Sequence, residues 1–307
     1  MRVFVAGATG VIGRQLVPLL VADGHEVIAM TRNDHKIAAV RAMGADGVVA
    51  DALDPGAVKA AVGRAEPDVV VHELTAIPAR VDPRRFAEEF GATNRLRRIG
   101  TRNLVAAAVA AGARRVVAQS IAQAYKPVGS WIKTEEDPLY VGAPTVFCDI
   151  FDAIIELEAT VLGAAGTEGV VLRYGNFYGP GTRFAPDGSD AELVRRRQFP
   201  IAGGGSAYWS FVHVYDAATA TMRAVLHGDP GIYNIVDDEP APIADWLPVY
   251  ARALDAPTPP ETGPPRSDYG IYGALRSRGA SNAKAKQHLA WSLRYPSWRH
   301  GFIATLA

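Results

Sequence analysis

Cysteine is nearly missing from this 307-residue chain. Its one cysteine, Cys148, leaves nothing for an internal disulfide framework or a structural zinc cluster. A surplus of charge is missing too, since 32 Lys and Arg face 32 Asp and Glu. That balance removes the electrostatic footprint expected of a nucleic-acid or anionic-membrane binder. No apolar run approaches the roughly 18 residues of a membrane span, and the first one stops at Gly7, too short for a secretory signal core. Internal repeats and low-complexity tracts are also lacking. No metal site is expected, because His72-Glu73 lacks ligand spacing. The expectation is a cytoplasmic protein whose partner is a small molecule, with neither nucleic acid nor membrane, acting as a monomer or a homodimer.

What is present is an alternation. Short β-branched runs at Arg2–Ala6, Glu26–Met30, Gly47–Ala50, Asp68–His72, Arg115–Gln119 and Val170–Tyr174 alternate with helical patterns. The helical patterns are Gly10–Ala22, Asp34–Met43, Pro55–Gly63, Arg85–Ala111 and Thr145–Leu162. Because the strands read as continuous apolar stretches, helices must cover both sheet faces. This predicts an α/β, doubly wound Rossmann fold with a parallel sheet. After Tyr174 glycine, proline and aromatic residues become dense, which predicts a smaller C-terminal substrate lobe. The expected division is residues 1–176 plus 212–236 for the dinucleotide-binding domain, and 177–211 plus 237–307 for the lobe.

The chemical signal with the strongest context is GATGVIG, where the first strand ends and the first helix begins. Gly7, Gly10 and Gly13 permit a tight turn and a close backbone approach. With Thr9, Val11 and Ile12 they present amides and a helix N-terminus to a diphosphate. After the second strand, where a carboxylate would bond the ribose hydroxyls of NAD, the chain reads Met30-Thr31-Arg32-Asn33. The planar cationic fork of Arg32, beside Asn33, suits a 2′-phosphate and predicts NADPH over NADH. The alternative is that Arg32 is a solvated loop residue and Asp34, otherwise a helix cap, reaches the ribose.

These residues resemble the extended short-chain dehydrogenase/reductase, or NAD-dependent epimerase/dehydratase, family along nearly the whole chain. GATGVIG is similar to its cofactor turn, and DALD to the segment whose aspartate and next amide meet the adenine, here Asp51 and Ala52. VVVHELTA is similar to the fourth strand, whose end, here Leu74, Thr75 and Ala76, lines the cofactor. GTRNLVAAAVAAGARRVVAQS, LRYGNFYGPG, FVHVYDAA and GIYNIVDDEPAP follow in family order. The resemblance implies further cofactor contacts at Gln119, Tyr174, Asn176 and Phe177.

The family's Tyr-x-x-x-Lys acid pair is missing. Counting back from Glu158 puts Ile150 and Ile154 at its positions, and a looser register puts Phe147 and Phe151 there. Ser120 remains, at most to orient a carbonyl, and the family's helix asparagine falls on Asn94 or on Arg97. Hydride transfer needs chiefly proximity and alignment, and loss of a general acid slows it by about 10²–10⁴-fold. The expected activity is therefore an NADPH-dependent ketoreductase acting on an aromatic or polyketide-type ketone, its proton coming from substrate or water. Members lacking the pair include ketoreductases of aromatic polyketide antibiotic biosynthesis, of the angucyclinone type, which the apolar positions 147 to 154 resemble.

Phe147, Phe177, Trp131, Tyr208 and Trp209 are the aromatic residues expected either to line the pocket or to pack in the core. Tyr125, Tyr174 and Tyr178 are candidates for a relocated proton donor, or else packing. Cys148 has no readable base nearby, Arg195-Arg196-Arg197 reads as a solvated face, and Asp237-Asp238-Glu239 reads as a loop. Two other functions stay open: a non-catalytic NADP-binding sensor or scaffold, and a sugar-nucleotide epimerase or dehydratase.

Overall fold

The computed structural model describes residues 1–78, 80–82 and 84–306. Seven strands form its main sheet: β1 (Arg2–Ala6), β2 (Glu26–Thr31), β3 (Asp46–Val49), β4 (Val69–His72), β5 (Arg115–Ile121), β6 (Glu168–Tyr174) and β7 (Gly231–Ile235). Their order is β7-β6-β5-β4-β1-β2-β3, and every neighbouring pair is parallel. The winding reverses between β1 and β4. That reversal opens a crevice at the carboxyl ends of the strands, the place where such sheets bind ligands. Val3 and Val5 face one apolar core and Phe4 and Ala6 the other, so successive residues of β1 are buried on opposite faces.

The helices are α1 (Gly13–Ala22), α2 (Ile37–Ala42), α3 (Pro55–Ala65), α4 (Phe86–Glu89), α5 (Gly91–Arg95), α6 (Thr101–Ala110), α7 (Thr145–Leu162), α8 (Ser189–Arg195), α9 (Val214–Leu226), α10 (Ile243–Ala253), α11 (Asp268–Ile271), α12 (Ala283–His288) and α13 (Trp298–Leu306). Local chemistry sets the start of α3. The Asp54 carboxylate accepts from the amides of Gly56 and Ala57 at 2.9 and 3.0 Å, and Pro55 opens the first turn.

The helix expected over 85–111 is not continuous. It breaks into α4, α5, a π turn at Leu96–Gly100, and α6. A π turn takes up one extra residue, so it rotates the side chains after it relative to a regular helix.

The lobe has its own aromatic core, in which Phe184, Phe211, Trp246, Tyr250, Trp298 and Phe302 pack mostly edge to face. One stretch assigned to it by sequence behaves otherwise. Ala285, Leu289 and Trp291 are buried in the core of the main sheet, beside α1 and α9. Two buried carboxylates fasten the end of the chain. Asp216, on α9, accepts from the amides of Arg294 and Tyr295 at 2.8 and 2.9 Å, and Asp237 accepts from the amide of Trp298 at 2.9 Å. The Asp237 run is thus a loop, as read, but a buried and hydrogen-bonded one. Among the described residues, no helix is long and apolar enough to cross a membrane.

Candidate active site

The glycine turn follows β1 at the switch point. Gly7 has φ +100°, and a Cβ there would lie 2.6 Å from the carbonyl carbon and oxygen of Glu73. A Cβ on Gly13 would run into the backbone of Gly7 and Ala8. The cradle therefore exists only because both side chains are absent. The helix cap at Ile12 has no side-chain partner, and the amides of Val11 and Ile12 make no hydrogen bond among the described residues. Thr9 is half-buried, and its carbonyl accepts from Arg14 Nε at 2.9 Å, which holds the turn's shape. Free amides at a helix N-terminus fit a dinucleotide diphosphate.

The other residues read as cofactor contacts lie at or just beyond the carboxyl ends of β2 to β6. Arg32 is exposed and forms no ion pair or hydrogen bond among the described residues, and the Asn33 amide donates to Thr31 Oγ1 at 3.2 Å. Asp34 opens a short 3₁₀ turn, and no side chain caps it. Asp51 is exposed, with Oδ1 accepting from the Leu53 amide at 2.9 Å; the Ala52 carbonyl accepts from Asn103 at 2.8 Å. Leu74, exposed Thr75 and Ala76 continue from β4, with Gln119 donating to the Leu74 carbonyl at 3.3 Å and the Ala76 amide donating to Thr93 at 3.0 Å. Asn176 donates to the Ser210 carbonyl at 3.2 Å, and Phe177 packs on Tyr174 at 5.2 Å.

Two titratable groups at the end of β4 are strongly perturbed. The Leu74 amide donates to His72 Nδ1, so the ring proton sits on Nε2 and is given to Thr101 Oγ1 at 2.9 Å. Burial, followed by the charge of Arg97, pushes the imidazole down to about 4, and His72 is neutral. Glu73 is buried, and Tyr174 Oη lies 2.9 Å from its Oε1 and 2.6 Å from Thr221 Oγ1. Burial pushes its carboxyl up to about 8, against the opposing effect of the Tyr174 hydrogen bond. A carboxyl held neutral beside the cradle spares a bound diphosphate an adjacent negative charge.

Ser120, read as orienting a carbonyl, makes its one side-chain hydrogen bond among the described residues elsewhere. It is fully buried, and its hydroxyl donates to Glu158 Oε1 at 2.6 Å. Glu158 is itself gripped by Arg173 through two bonds of 2.8 and 2.6 Å. The reason is strand alternation: β5 runs two residues further than expected, so Ser120 faces the buried ion pair. Half-buried Ile121, the next residue, packs with the apolar face of α7.

That face holds Phe147, Ile150, Phe151 and Ile154, all buried. Phe86, Phe90, Tyr140, Tyr269 and Tyr272 complete a cluster in which Phe147 lies 5.5 Å from Phe86, 5.4 Å from Phe151 and 4.8 Å from Tyr272. No sequence signal marked these partners, because they come from three distant segments. Tyr140 and Tyr269 hydroxyls make no hydrogen bond among the described residues.

The other expected pocket residues do not join this cluster. Trp131 stacks with Tyr208 at 5.4 Å beneath the Arg278 guanidinium. The Trp209 indole donates to the Gly273 carbonyl at 3.0 Å and packs on Trp246, in the lobe core. Of the proposed relocated donors, Tyr125 and Tyr174 are hydrogen-bonded, whereas the buried Tyr178 hydroxyl has no partner among the described residues. Tyr125 donates to Asn234 at 2.7 Å and burial pushes its phenol up to about 12; burial also raises Tyr174 and Tyr178. Cys148 donates to Asp152 at 3.4 Å, and that carboxylate raises the thiol pKa, which disfavours the nucleophilic thiolate.

A family model described as the NAD dependent epimerase/dehydratase family matches residues 3–236. The chain belongs to this family. Within it, a 3-diazoavenalumate denitrifying reductase from Streptomyces sp is 48% identical over 98% of this chain and 99% of the relative. A 4-hydroxy-2-methyl-3-oxo-4-farnesyl-3,4-dihydroquinoline-1-oxide ketoreductase from Stigmatella aurantiaca is 27% identical over 80% of this chain and 71% of the relative. Among solved structures, a UDP-glucose 4-epimerase from Thermotoga maritima superposes with a TM-score of 0.79 at 21% identity, covering 100% of this chain and 97% of the other, and shares the fold. Membership makes this an NAD-dependent type of enzyme, and the named relatives support an oxidoreductase of the reductase kind.

Proposed function

We propose that the chain is an NADPH-dependent reductase whose acceptor is a diazo group on a planar aromatic compound. The observation that carries the reading is the apolar face of α7: Phe147, Ile150, Phe151 and Ile154 are all buried, so neither register counted from the family's pattern offers a proton donor or a cationic partner. When bound, the reduced nicotinamide supplies a hydride. The backbone turn Gly7 to Gly13 holds the diphosphate, Arg32 meets the 2′-phosphate, and the ends of β4 and β6 wall the crevice. The rings of Phe86, Phe147 and Tyr269 hold a flat acceptor and keep water away from it.

Acceptor chemistry then favours a diazonium over a ketone. Hydride added to the terminal nitrogen gives a neutral diazene. Its C–N bond breaks, N2 leaves, and the hydrogen moves from nitrogen to the ring carbon. No external proton is consumed, so no acid is needed. The 48% relative, named as a denitrifying reductase of a diazo compound, supports this reading.

An aromatic ketone is the second reading, supported by the ketoreductase relative. It requires a proton at the alkoxide from substrate, from water, or from the hydroxyls of Tyr140 or Tyr269, which have no partner among the described residues. Incubation with NADPH and either an aryl diazonium or a polycyclic ketone, followed at the nicotinamide absorbance and by N2 release, tests both. Diazo-dependent oxidation with stoichiometric N2 is expected. Turnover of the ketone alone, lost in Tyr140→Phe or Tyr269→Phe, replaces the first reading with the second; tight NADPH binding with no turnover of either overturns both.

A further inference from the structure

Among the described residues, the buried arginines of the main domain are paired, with one exception. Arg173 grips Glu158, and Arg115 bonds Glu168 and the carbonyls of Ala224, His227 and Gly228. Arg97 is 1% exposed and makes one hydrogen bond among the described residues, from Nη1 to Asn94 Oδ1 at 3.2 Å. Its Nε is buried without a hydrogen-bond partner among the described residues, and Nη2 on the same edge of the fork makes no hydrogen bond there either.

Among the described residues, no carboxylate pairs with it directly. Asp149 lies one amide away, accepting from Asn94 Nδ2 at 2.6 Å, and is already bridged by Arg98 at 2.7 Å. Arg98 also holds Glu156 at 2.8 Å. His72 is neutral and brings no charge. An uncompensated buried cation costs stability that a leucine would not, so the position signals a ligand. The π turn points the same way, because such turns recur at functional positions.

Where Arg97 sits selects the ligand. It lies in the crossover from β4 to β5 and beside α7, on the far side of the switch point from Arg32. The glycine turn, between them, takes the anionic part of the dinucleotide. A second anion is needed on the acceptor side. We propose that Arg97 binds a carboxylate of the acceptor through its free Nε–Nη2 edge, so that the substrate is an aromatic acid and not a neutral arene. The proposal rests on the reading of this crevice as the reductase site and deepens it. A guanidinium edge and a carboxylate match in a planar, two-bond geometry that fixes the orientation of a flat ring among Phe86, Phe147 and Tyr269.

The test uses NADPH-loaded protein and two probes of equal shape, 2-naphthoate and 2-naphthamide, titrated by calorimetry. The wild type is expected to prefer the acid by about ten- to a hundredfold, the range of a hydrogen bond to a charged group. Arg97→Gln should abolish that preference, weakening the acid about ten- to a hundredfold and the amide by far less, with NADPH affinity kept, and Arg97→Lys should restore part of it. Equal binding of acid and amide by the wild type overturns the proposal. So does an Arg97→Gln protein that loses amide or NADPH affinity as much as acid affinity, since the guanidinium then serves the frame or the cofactor. If Arg97→Gln fails to fold, the wild-type ratio decides alone. Binding needs no turnover, so a protein that prefers the acid yet reduces no acceptor keeps this site and loses the reductase reading.

Discussion

Glu73→Gln should stabilise the protein, and increasingly so as pH rises from 5 to 8. In the folded chain the Glu73 carboxyl is pushed up to about 8, against an ordinary value of 4.5. A raised carboxyl pKa means that the folded state holds a proton the unfolded state has released. Its contribution is therefore fully present below pH 4.5 and is lost as pH climbs through 8. Each pH unit in that window removes about 1.4 kcal/mol, so at pH 7.5 the loss approaches ~4 kcal/mol as an upper bound. Glutamine has the same shape, never ionises, and still accepts from Tyr174. Urea unfolding followed by tryptophan fluorescence at pH 5, 6.5 and 8 should show wild type and variant converging at the acid end and diverging by a few kcal/mol at pH 8. Other buried groups contribute slopes of their own, but these cancel in the difference between the two proteins. The same substitution should flatten the weakening of NADPH binding above pH 8, where the wild type gains a negative charge beside the diphosphate cradle. Parallel stability profiles for the two proteins would refute the reasoning.

Arg32→Ala should weaken NADPH about ten- to a hundredfold and leave NADH within about twofold, measured by fluorescence titration; equal losses would remove the 2′-phosphate role. Ser120→Ala should leave turnover nearly unchanged and cost about 1 kcal/mol of stability, because its hydroxyl serves Glu158. Glu158→Gln breaks the buried pair with Arg173 and should cost about 3–5 kcal/mol in chemical denaturation, whereas a Ser120→Ala variant that folds normally yet loses turnover would reinstate a catalytic hydroxyl.

The parallel sheet was legible because strands covered on both faces run as continuous apolar stretches, as at residues 69–71 of β4. The glycine turn was legible because its spacing follows a strand and opens a helix, and Gly13 meets the backbone of Gly7 and Ala8 within the same turn; the contact of Gly7 with the Glu73 backbone is tertiary. The partner of Ser120 was not legible for a reason of register: which side of β5 it faces depends on two further residues of pairing with β6. The π turn was hidden because the sequence around Arg97 carries helix-compatible residues, and the extra residue is accommodated only by packing against neighbours. Arg97 and Glu73 looked like any charged residues on a helix or at a strand end; their burial is a tertiary fact. Tyr140, Tyr269 and Phe86 meet Phe147 across long sequence separations, which no periodicity announces. Trp131, Tyr208 and Trp209 offer flat apolar surfaces, and a flat surface does not by itself distinguish a pocket wall from packing elsewhere.

The carboxylates of Asp216 and Asp237 tie the last stretch of the lobe to the helix and loop that complete the main sheet. Because each accepts main-chain amides, the clasp does not depend on which side chains stand at 294, 295 or 298. The acceptor-facing surface can thus be rebuilt residue by residue over evolutionary time without the two halves of the molecule coming apart.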